Sequence, residues 1–239
     1  MHLIMFDIDG TLTETVKIDD ECYVRTAAEV YGYTDINTDW TRYPHATVSC
    51  IAHEIYQART GRPPTKDDIS RFRGRFVELI TAASLQSPFT SVAGAGRILS
   101  RLAACGTYRV ALATGGWSDS ARIKLASAGM CFDDHPAASA DDALDRESIM
   151  KLSMERATQR HGAPFDSVIY VGDGVWDARA CRAMDIPFIG IGSGAQAARL
   201  AAEGAVRVFE NFSDDNLFLE SLNELTLGAT HSGVGANHR

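Results

Sequence analysis

The feature of this chain that most constrains its fold is a regular alternation of short apolar runs with helix-like stretches. Four of the apolar runs are strand-like and end in small or acidic residues: LIMFDI (3–8), YRVALAT (108–114), SVIYVGD (167–173) and IPFIGIG (186–192), with VRVF (206–209) as a weaker fifth. Patterns typical of helices lie between them, at 96–104, 118–129, 146–162, 177–185 and 195–204. Strands that alternate with helices predict an α/β fold with a parallel sheet, covered by helices on both faces.

One interval interrupts the alternation. Residues 15–90 contain no convincing strand, but they include three helix-like stretches, roughly at 18–31, 46–59 and 66–85. Thr65 and Asp68 have the spacing of a capping box that would begin the third helix.

The position of this interval predicts the domain organisation. Since it lies between the first strand and the next strand–helix unit, we expect residues 15–90 to form an inserted helical subdomain. Residues 1–14 and 91–227 would then form the core. The Gly-rich, polar end at 228–239 is predicted to be disordered.

Composition excludes several classes of protein. The net charge of −8 gives no electrostatic support to a nucleic-acid partner. The first apolar run stops at Asp7, which predicts neither a signal peptide nor a membrane anchor. The five cysteines are far apart in the sequence and include no CxxC pair, so we expect reduced thiols and a soluble, cytoplasmic protein. The oligomeric state is not predicted.

The first apolar run ends in two carboxylates, Asp7 and Asp9, followed by Gly10 and Thr11. Side chains two residues apart on an extended strand share a face and lie roughly 7 Å apart. Two like charges this close favour a cation beside them, and a hard divalent cation with oxygen ligands is the natural one. The alternative is an Asp-Gly turn in which one Asp caps the next segment.

A second acidic strand end reads VIYVGDGVWD (168–177). Asp173 falls where the strand stops, and a helix beginning there would place Asp177 on the same face. Alternatively, Asp173 turns the chain and Asp177 caps the helix. The first interpretation is favoured because the same arrangement ends another strand of the parallel sheet.

The third strand end, ALATGGWSDSAR (111–122), offers uncharged groups. Thr114 supplies a hydroxyl, and Gly115 with Gly116 leaves bare amides before a helix, which suits a phosphate. Taken alone, the segment is better explained as a Gly-Gly linker with Ser118 as the helix N-cap.

Ligands of open parallel sheets bind outside the carboxyl ends of the strands, where Asp7, Thr114 and Asp173 would meet. A bound anion would also need a cation. Arg146 and Lys151 are the candidates, but they lie about 140° apart around a helix, so only one can point inward. We expect Arg146, at the helix start, with Lys151 as the alternative.

A third basic residue is interpreted differently. Lys124 lies two turns into its predicted helix, beyond the strand end. We expect its side chain to face solvent.

Together, these segments resemble the four motifs of the haloacid dehalogenase superfamily. DIDGT (7–11), the strand ending at Thr114, a basic residue within 146–151 and GDGVWD (172–177) occur in the family's order. The resemblance spans most of residues 1–210. It implies a Rossmann-like core. By the same resemblance, the helical insert corresponds to the cap of the phosphatase branch, which includes phosphoglycolate phosphatase-like proteins.

The resemblance also implies roles for the motif residues. Asp7 would be the nucleophile that forms an aspartyl-phosphate, and Asp9 the general acid and then the base. Thr114, Gly115 and the basic residue would hold the phosphoryl oxygens. Mg²⁺ would be bound by Asp7, the backbone carbonyl of Asp9, Asp173 and Asp177. Family members that expel halide lack the second Asp, so Asp9 indicates phosphate chemistry.

The sequence therefore predicts a Mg²⁺-dependent phosphatase that acts on a small phosphorylated metabolite. A phosphosugar mutase of the same family and a non-catalytic phosphate- or metal-binding regulator are the alternatives. Candidates for contacting the leaving group are the polar and aromatic residues of the insert, Trp40, Arg42, Tyr43 and His45.

Overall fold

A parallel sheet of six strands forms the centre of the protein in the computed structural model, which describes residues 1–232. The strands are β1 (His2–Phe6), β2 (Tyr108–Ala113), β3 (Ala137–Ala138), β4 (Ser167–Gly172), β5 (Phe188–Ile191) and β6 (Arg207–Phe209). Their order across the sheet is β3-β2-β1-β4-β5-β6. Phe6 pairs with Leu112 on one side and Val171 on the other, so β1 ends one residue before each of its neighbours. The predicted α/β fold with a parallel sheet is confirmed.

The described residues also include nine α-helices: α1 (Val16–Thr26), α2 (Val48–Thr60), α3 (Lys66–Gln86), α4 (Ala95–Ala104), α5 (Ser118–Ser127), α6 (Arg146–His161), α7 (Val175–Ala183), α8 (Gly194–Ala202) and α9 (Asp215–Ser232). A π-helical turn over Ala27–Tyr31 continues α1, and short 3₁₀ turns cover Trp40–Arg42 and Phe132–Asp134.

Two hydrophobic clusters cover the two faces of the sheet. Alternate residues of β1 belong to opposite clusters, Leu3 and Met5 to one, Ile4 and Phe6 to the other. This follows from the alternation of side chains along a strand, and it explains why β1 is apolar throughout. The result is the three-layer arrangement that the alternating pattern predicts.

The interval between β1 and α4 folds as helices with a hydrophobic cluster of their own. Residues such as Tyr23, Ile51 and Phe76 form this cluster, and Trp117 of the core packs against it. Helix α3 begins with the predicted capping box, because the Thr65 hydroxyl accepts from the Asp68 N–H and the Asp68 carboxylate accepts from the Thr65 N–H.

The chain enters and leaves this helical insert at one place. Glu14 N–H donates to the Thr90 carbonyl at 2.9 Å, and Val92 N–H donates to the Leu12 carbonyl at 3.0 Å. The two segments that connect the core to the insert therefore lie side by side.

The structure differs from the sequence-based prediction at two elements. The short strand β3 was not predicted, because two residues carry no periodicity. Helix α9 was not predicted either, although Phe218 and Leu222 are buried in the core. This helix extends to Ser232, so residues 228–232 are helical rather than disordered, since each added residue contributes one more backbone hydrogen bond. The rest of the predicted tail, 233–239, lies outside the described residues.

The five cysteines form no disulfide, and Cys22, Cys50 and Cys181 are buried. Within residues 1–232, no helix combines the length and the hydropathy that crossing a bilayer requires.

Candidate active site

Three carboxylates meet at the carboxyl ends of the central strands. Asp7 follows β1, Asp173 follows β4, and Asp177 lies in the first turn of α7. One carboxylate oxygen of each lies within 4.8 Å of the others. Gly10 allows this approach, because it has a φ of +75° and a Cβ there would lie 2.1 Å from Asp173 Oδ2.

Asp177 combines both of the functions that the sequence left open. Its Oδ2 accepts from the Gly174 N–H at 3.1 Å, which caps the start of α7. Its Oδ1 lies 3.1 Å from the guanidinium of Arg146. The cap therefore orients the carboxylate and directs its other oxygen into the site.

The electrostatics of the three carboxylates favour a bound cation. Burial, with smaller contributions from the carboxylates of Asp177 and Asp9, raises the pKa of Asp7 to about 7 against the opposing effect of Arg146. Burial and the other carboxylates also raise the pKa of Asp173 well above its ordinary value. Oxygen ligands of this kind fit a hard divalent cation such as Mg²⁺, whose charge would relieve the repulsion.

Arg146 is the basic residue that the structure brings into this cluster. It begins α6, and the guanidinium is buried, with Nη1 3.2 Å from Asp7 Oδ1. Its Nε is buried without a hydrogen-bond partner in residues 1–232. Lys151, the alternative considered from the sequence, is exposed farther along α6.

The third strand end lies beside Arg146. Thr114 is buried, and its hydroxyl accepts from the Gly116 N–H at 3.1 Å. A Cβ on Gly115 would lie 2.7 Å from Arg146 Nη2 and 2.9 Å from the Ala46 carbonyl. Only glycine therefore allows the strand end, the arginine and the insert to approach this closely.

Asp9 lies outside the three-carboxylate cluster and has partners of its own. Lys124 Nζ lies 2.7 Å from Asp9 Oδ1, and the Thr15 hydroxyl donates to the same oxygen at 2.5 Å. Lys124 also forms an ion pair with Asp19 of α1. Asp7 and Asp9 are therefore held by different cations.

The expectation that Lys124 faces solvent is wrong. Its side chain is 0% exposed, because α3 of the insert packs over α5, and its ammonium lies 5.9 Å from the centre of the Phe76 ring. Burial alone would lower the pKa of Lys124, but the carboxylates of Asp19 and Asp9 outweigh it and hold the pKa above its ordinary value.

Sequence analysis missed several residues that support the site. Gln196 Nε2 donates to the Asp173 carbonyl at 3.0 Å, and the Tyr170 hydroxyl donates to the Ala113 carbonyl at 2.8 Å beside Asp177. Gln196 follows β5 at the same edge of the sheet, so its position was a usable signal. No signal in the sequence pointed to Asp19, because its contact with Lys124 depends on how the insert packs over the core.

A cavity that is partly open to solvent lies between the insert and the strand ends. Of the four residues predicted to contact a leaving group, Trp40 lines this cavity, while Tyr43 and His45 border an adjoining pocket. Arg42 lines neither, and it is exposed and paired with Asp39 at 3.3 Å. The structure therefore does not bring Arg42 to the site.

Comparisons with known proteins identify a family and a shared fold. The family model of haloacid dehalogenase-like hydrolases matches residues 1–185. No sequence among curated proteins matches the chain.

Several solved structures share the fold. A hydrolase from Pseudomonas syringae is 22% identical, with a TM-score of 0.71, over 94% of this chain and 99% of that one. CbbY from Rhodobacter sphaeroides, in complex with phosphate, is 18% identical, with a TM-score of 0.64, over 88% of this chain and 94% of that one. A putative beta-phosphoglucomutase from Bacteroides vulgatus is 16% identical, with a TM-score of 0.67, over 94% of this chain and 89% of that one.

The family model covers most of the chain, and it contains the strand ends that bring Asp7, Arg146 and Asp173 together. The fold is that of the solved relatives from the first strand onward. The chain belongs to the haloacid dehalogenase-like hydrolases.

Proposed function

We propose that this protein is a Mg²⁺-dependent phosphatase that hydrolyses a small phosphorylated metabolite through an aspartyl-phosphate on Asp7. One observation carries the proposal. The Asp7 carboxylate lies between the guanidinium of Arg146 and two further carboxylates, while a separate carboxylate, Asp9, is held by Lys124 and Thr15.

The first step is attack by Asp7 on the phosphorus atom of the ester. Arg146 binds a phosphoryl oxygen through Nε, the buried donor without a partner in the described part of the chain, while Nη1 orients Asp7. The Thr114 hydroxyl and the amides that follow it bind the other oxygens. Asp7, Asp173, Asp177 and the carbonyl of Asp9 would hold Mg²⁺, which, when bound, neutralises the charge between carboxylate and phosphate.

Asp9 performs the proton transfers. In its protonated form it donates a proton to the leaving oxygen, and in its ionised form it accepts one from the water that hydrolyses the aspartyl-phosphate. The Thr15 hydroxyl donates to Oδ1 of Asp9, and the Lys124 ammonium contacts Oδ1 at 2.7 Å and donates to Oδ2 at 2.9 Å, which fixes the orientation of the carboxylate.

We propose that the helical insert acts as a cap over this site. Its two connections to the core lie side by side, at Leu12–Glu14 and Thr90–Val92, so a small change there can move all the helices together. Closure would exclude water from the first step and bring Trp40 and Tyr23 over the leaving group.

The test is release of inorganic phosphate from an aryl phosphate with and without Mg²⁺. We expect Mg²⁺-dependent turnover that falls by about 10³-fold or more in Asp7→Asn, because the variant lacks the nucleophile. Asp67→Asn, an exposed position on α3, is the matched control and should retain activity. Undiminished turnover in Asp7→Asn would overturn the proposal.

The same preparation separates hydrolysis from phosphoryl transfer between sugar positions. A mutase would interconvert hexose 1- and 6-phosphates without net release of phosphate. We expect net release, and interconversion without it would replace the phosphatase by a mutase.

A further inference from the structure

The cavity over the proposed site has two halves of different character. The strand ends contribute the carboxylates, Arg146 and the phosphate-binding amides. The insert contributes an apolar and aromatic wall, chiefly Val48, Ile51, Tyr23 and Trp40, and Trp176 of α7 completes it. A phosphate bound at Arg146 would direct its leaving group toward this wall.

The charged groups in the insert half are carboxylates. Asp19 and Asp20 of α1 line the cavity. Asp20 accepts from Trp40 Nε1, a neutral donor, at 2.7 Å, and it forms no ion pair within residues 1–232. Asp19 shares the ammonium of Lys124 with Asp9, so two carboxylates divide one positive charge.

The arginines of the insert are paired with carboxylates away from this cavity. Each of its seven arginines forms an ion pair with a carboxylate that does not line the cavity: Arg25, Arg42, Arg59, Arg62, Arg71, Arg73 and Arg75. Among the described residues, Arg146 is the only arginine or lysine in the cavity lining. In the adjoining pocket, Arg179 is held by Glu203 at 2.6 Å, and Glu147 lies on the same wall.

We propose that the substrate's leaving group carries no anionic group and presents an apolar or aromatic face, with hydroxyl or amine substituents tolerated. The inference rests on the proposed phosphatase function and specifies its substrate class. A carboxylate or a second phosphate on the leaving group would enter a low-dielectric space beside Asp20 without a cation to pair with, which is unfavourable. A bisphosphate, which a mutase uses as its activator, is disfavoured for the same reason.

The test compares three aryl phosphates that differ only in the para substituent: a carboxamide, a carboxylate and an aminomethyl group. We expect kcat/KM for the carboxylate to be about tenfold or more below that for the carboxamide, from like-charge repulsion at the cavity wall. The aminomethyl compound should match or exceed the carboxamide.

Two variants assign the discrimination to the cavity wall. In Asp20→Asn, the ratio between carboxamide and carboxylate should shrink at least about threefold, because the uncompensated charge is gone. Glu21→Gln removes the same charge from the next residue of α1, which is outside the cavity lining, and should leave the ratio unchanged.

The outcomes separate this inference from the proposed function. Equal or faster turnover of the carboxylate, or a ratio that Asp20→Asn does not change, would overturn the substrate class while leaving the phosphatase intact. Absence of Mg²⁺-dependent turnover with all three compounds would overturn both.

Discussion

Lys124 Nζ lies 2.7 Å from Asp9 Oδ1 and also contacts the carboxylate of Asp19, so one buried ammonium joins the proposed general acid of the core to helix α1 of the insert. Any movement of α1 relative to the core changes the surroundings of this ammonium. The orientation of Asp9 and the position of the insert are thus physically linked.

Replacing Lys124 by Met should therefore affect both stability and turnover. The variant leaves two carboxylates facing each other without a cation, and we expect a loss of about 3–5 kcal/mol in the free energy of unfolding. Turnover should fall about 10- to 100-fold, because Asp9 loses its orientation. Urea unfolding and steady-state kinetics measure the two effects.

The control for this variant is Lys17→Met, which removes an exposed ammonium from α1. It should change stability by less than about 0.5 kcal/mol. Adding Asp19→Asn to Lys124→Met should recover part of the lost stability, since it removes one of the two unpaired charges. If Lys124→Met and Lys17→Met have the same free energy of unfolding, the buried ion pair contributes nothing to stability.

Arg146 and Lys151 should differ sharply in their importance for phosphate binding. Arg146 is buried against Asp7 and Asp177, whereas Lys151 is exposed on the same helix. We expect Arg146→Ala to lower kcat/KM by about 10²-fold or more and to weaken competitive inhibition by inorganic phosphate. Lys151→Ala should change neither, and comparable losses in the two variants would contradict the assignment.

Stability without metal should decrease as the pH rises. Burial raises the pKa of Asp7 from 3.8 to about 7, so the folded protein binds its proton more tightly than the unfolded chain does. This contribution is fully present below pH 4 and is lost as the pH rises through about 7. In EDTA, unfolding measured across this range should show a larger decrease for the wild type than for Asp7→Asn.

Mg²⁺ should reverse this pH dependence in the wild type. A cation bound to the ionised carboxylates stabilises the folded state, by about 2.7 kcal/mol at 100 times its dissociation constant. Asp173→Asn should lose most of this gain, because it removes one ligand of the cluster. A gain of equal size in this variant would place the cation elsewhere.

Closure of the insert should depend on Arg73. Its guanidinium lies 2.7 Å from both Asp119 and Asp141, which ties α3 to the core. We expect Arg73→Gln to speed amide hydrogen exchange along α3 and to raise KM a few-fold, since partly exposed ion pairs of this kind are worth about 1 kcal/mol or less. Arg71→Gln is the matched control, because the ion pair of Arg71 within residues 1–232 stays inside α3, with Asp68 at 3.8 Å. Equal exchange rates in the two variants would show that Arg73 does not hold the insert.

Local patterns were sufficient for the sheet and for the acidic part of the site. Apolar runs ending in Asp7, Thr114 and Asp173 predict strands, and parallel strands bring their carboxyl ends to one edge. The choice of Arg146 over Lys151 as the residue that points inward also followed from local geometry, because the angle around the helix allows only one of them and Arg146 lies at the helix start.

Contacts between distant elements could not be obtained in this way. Lys124 was expected to face solvent because nothing near it in the sequence indicates that α3 will cover α5. Arg42 was expected near a leaving group, but the fold of its own turn pairs it with Asp39. The burial of Lys124 is set by a helix that is distant in sequence. The partner of Arg42 is set by a turn that has no periodicity.

The sequence by itself determined the fold class, the edge of the sheet where the chemistry lies and the carboxylates that meet there, because these follow from periodicity and from the ends of parallel strands. Only the tertiary structure decided which cation each carboxylate receives and which charges line the cavity. These ion pairs and cavity charges depend on how the insert packs over the core. A side chain that would be exposed on an isolated helix becomes buried there between two helices.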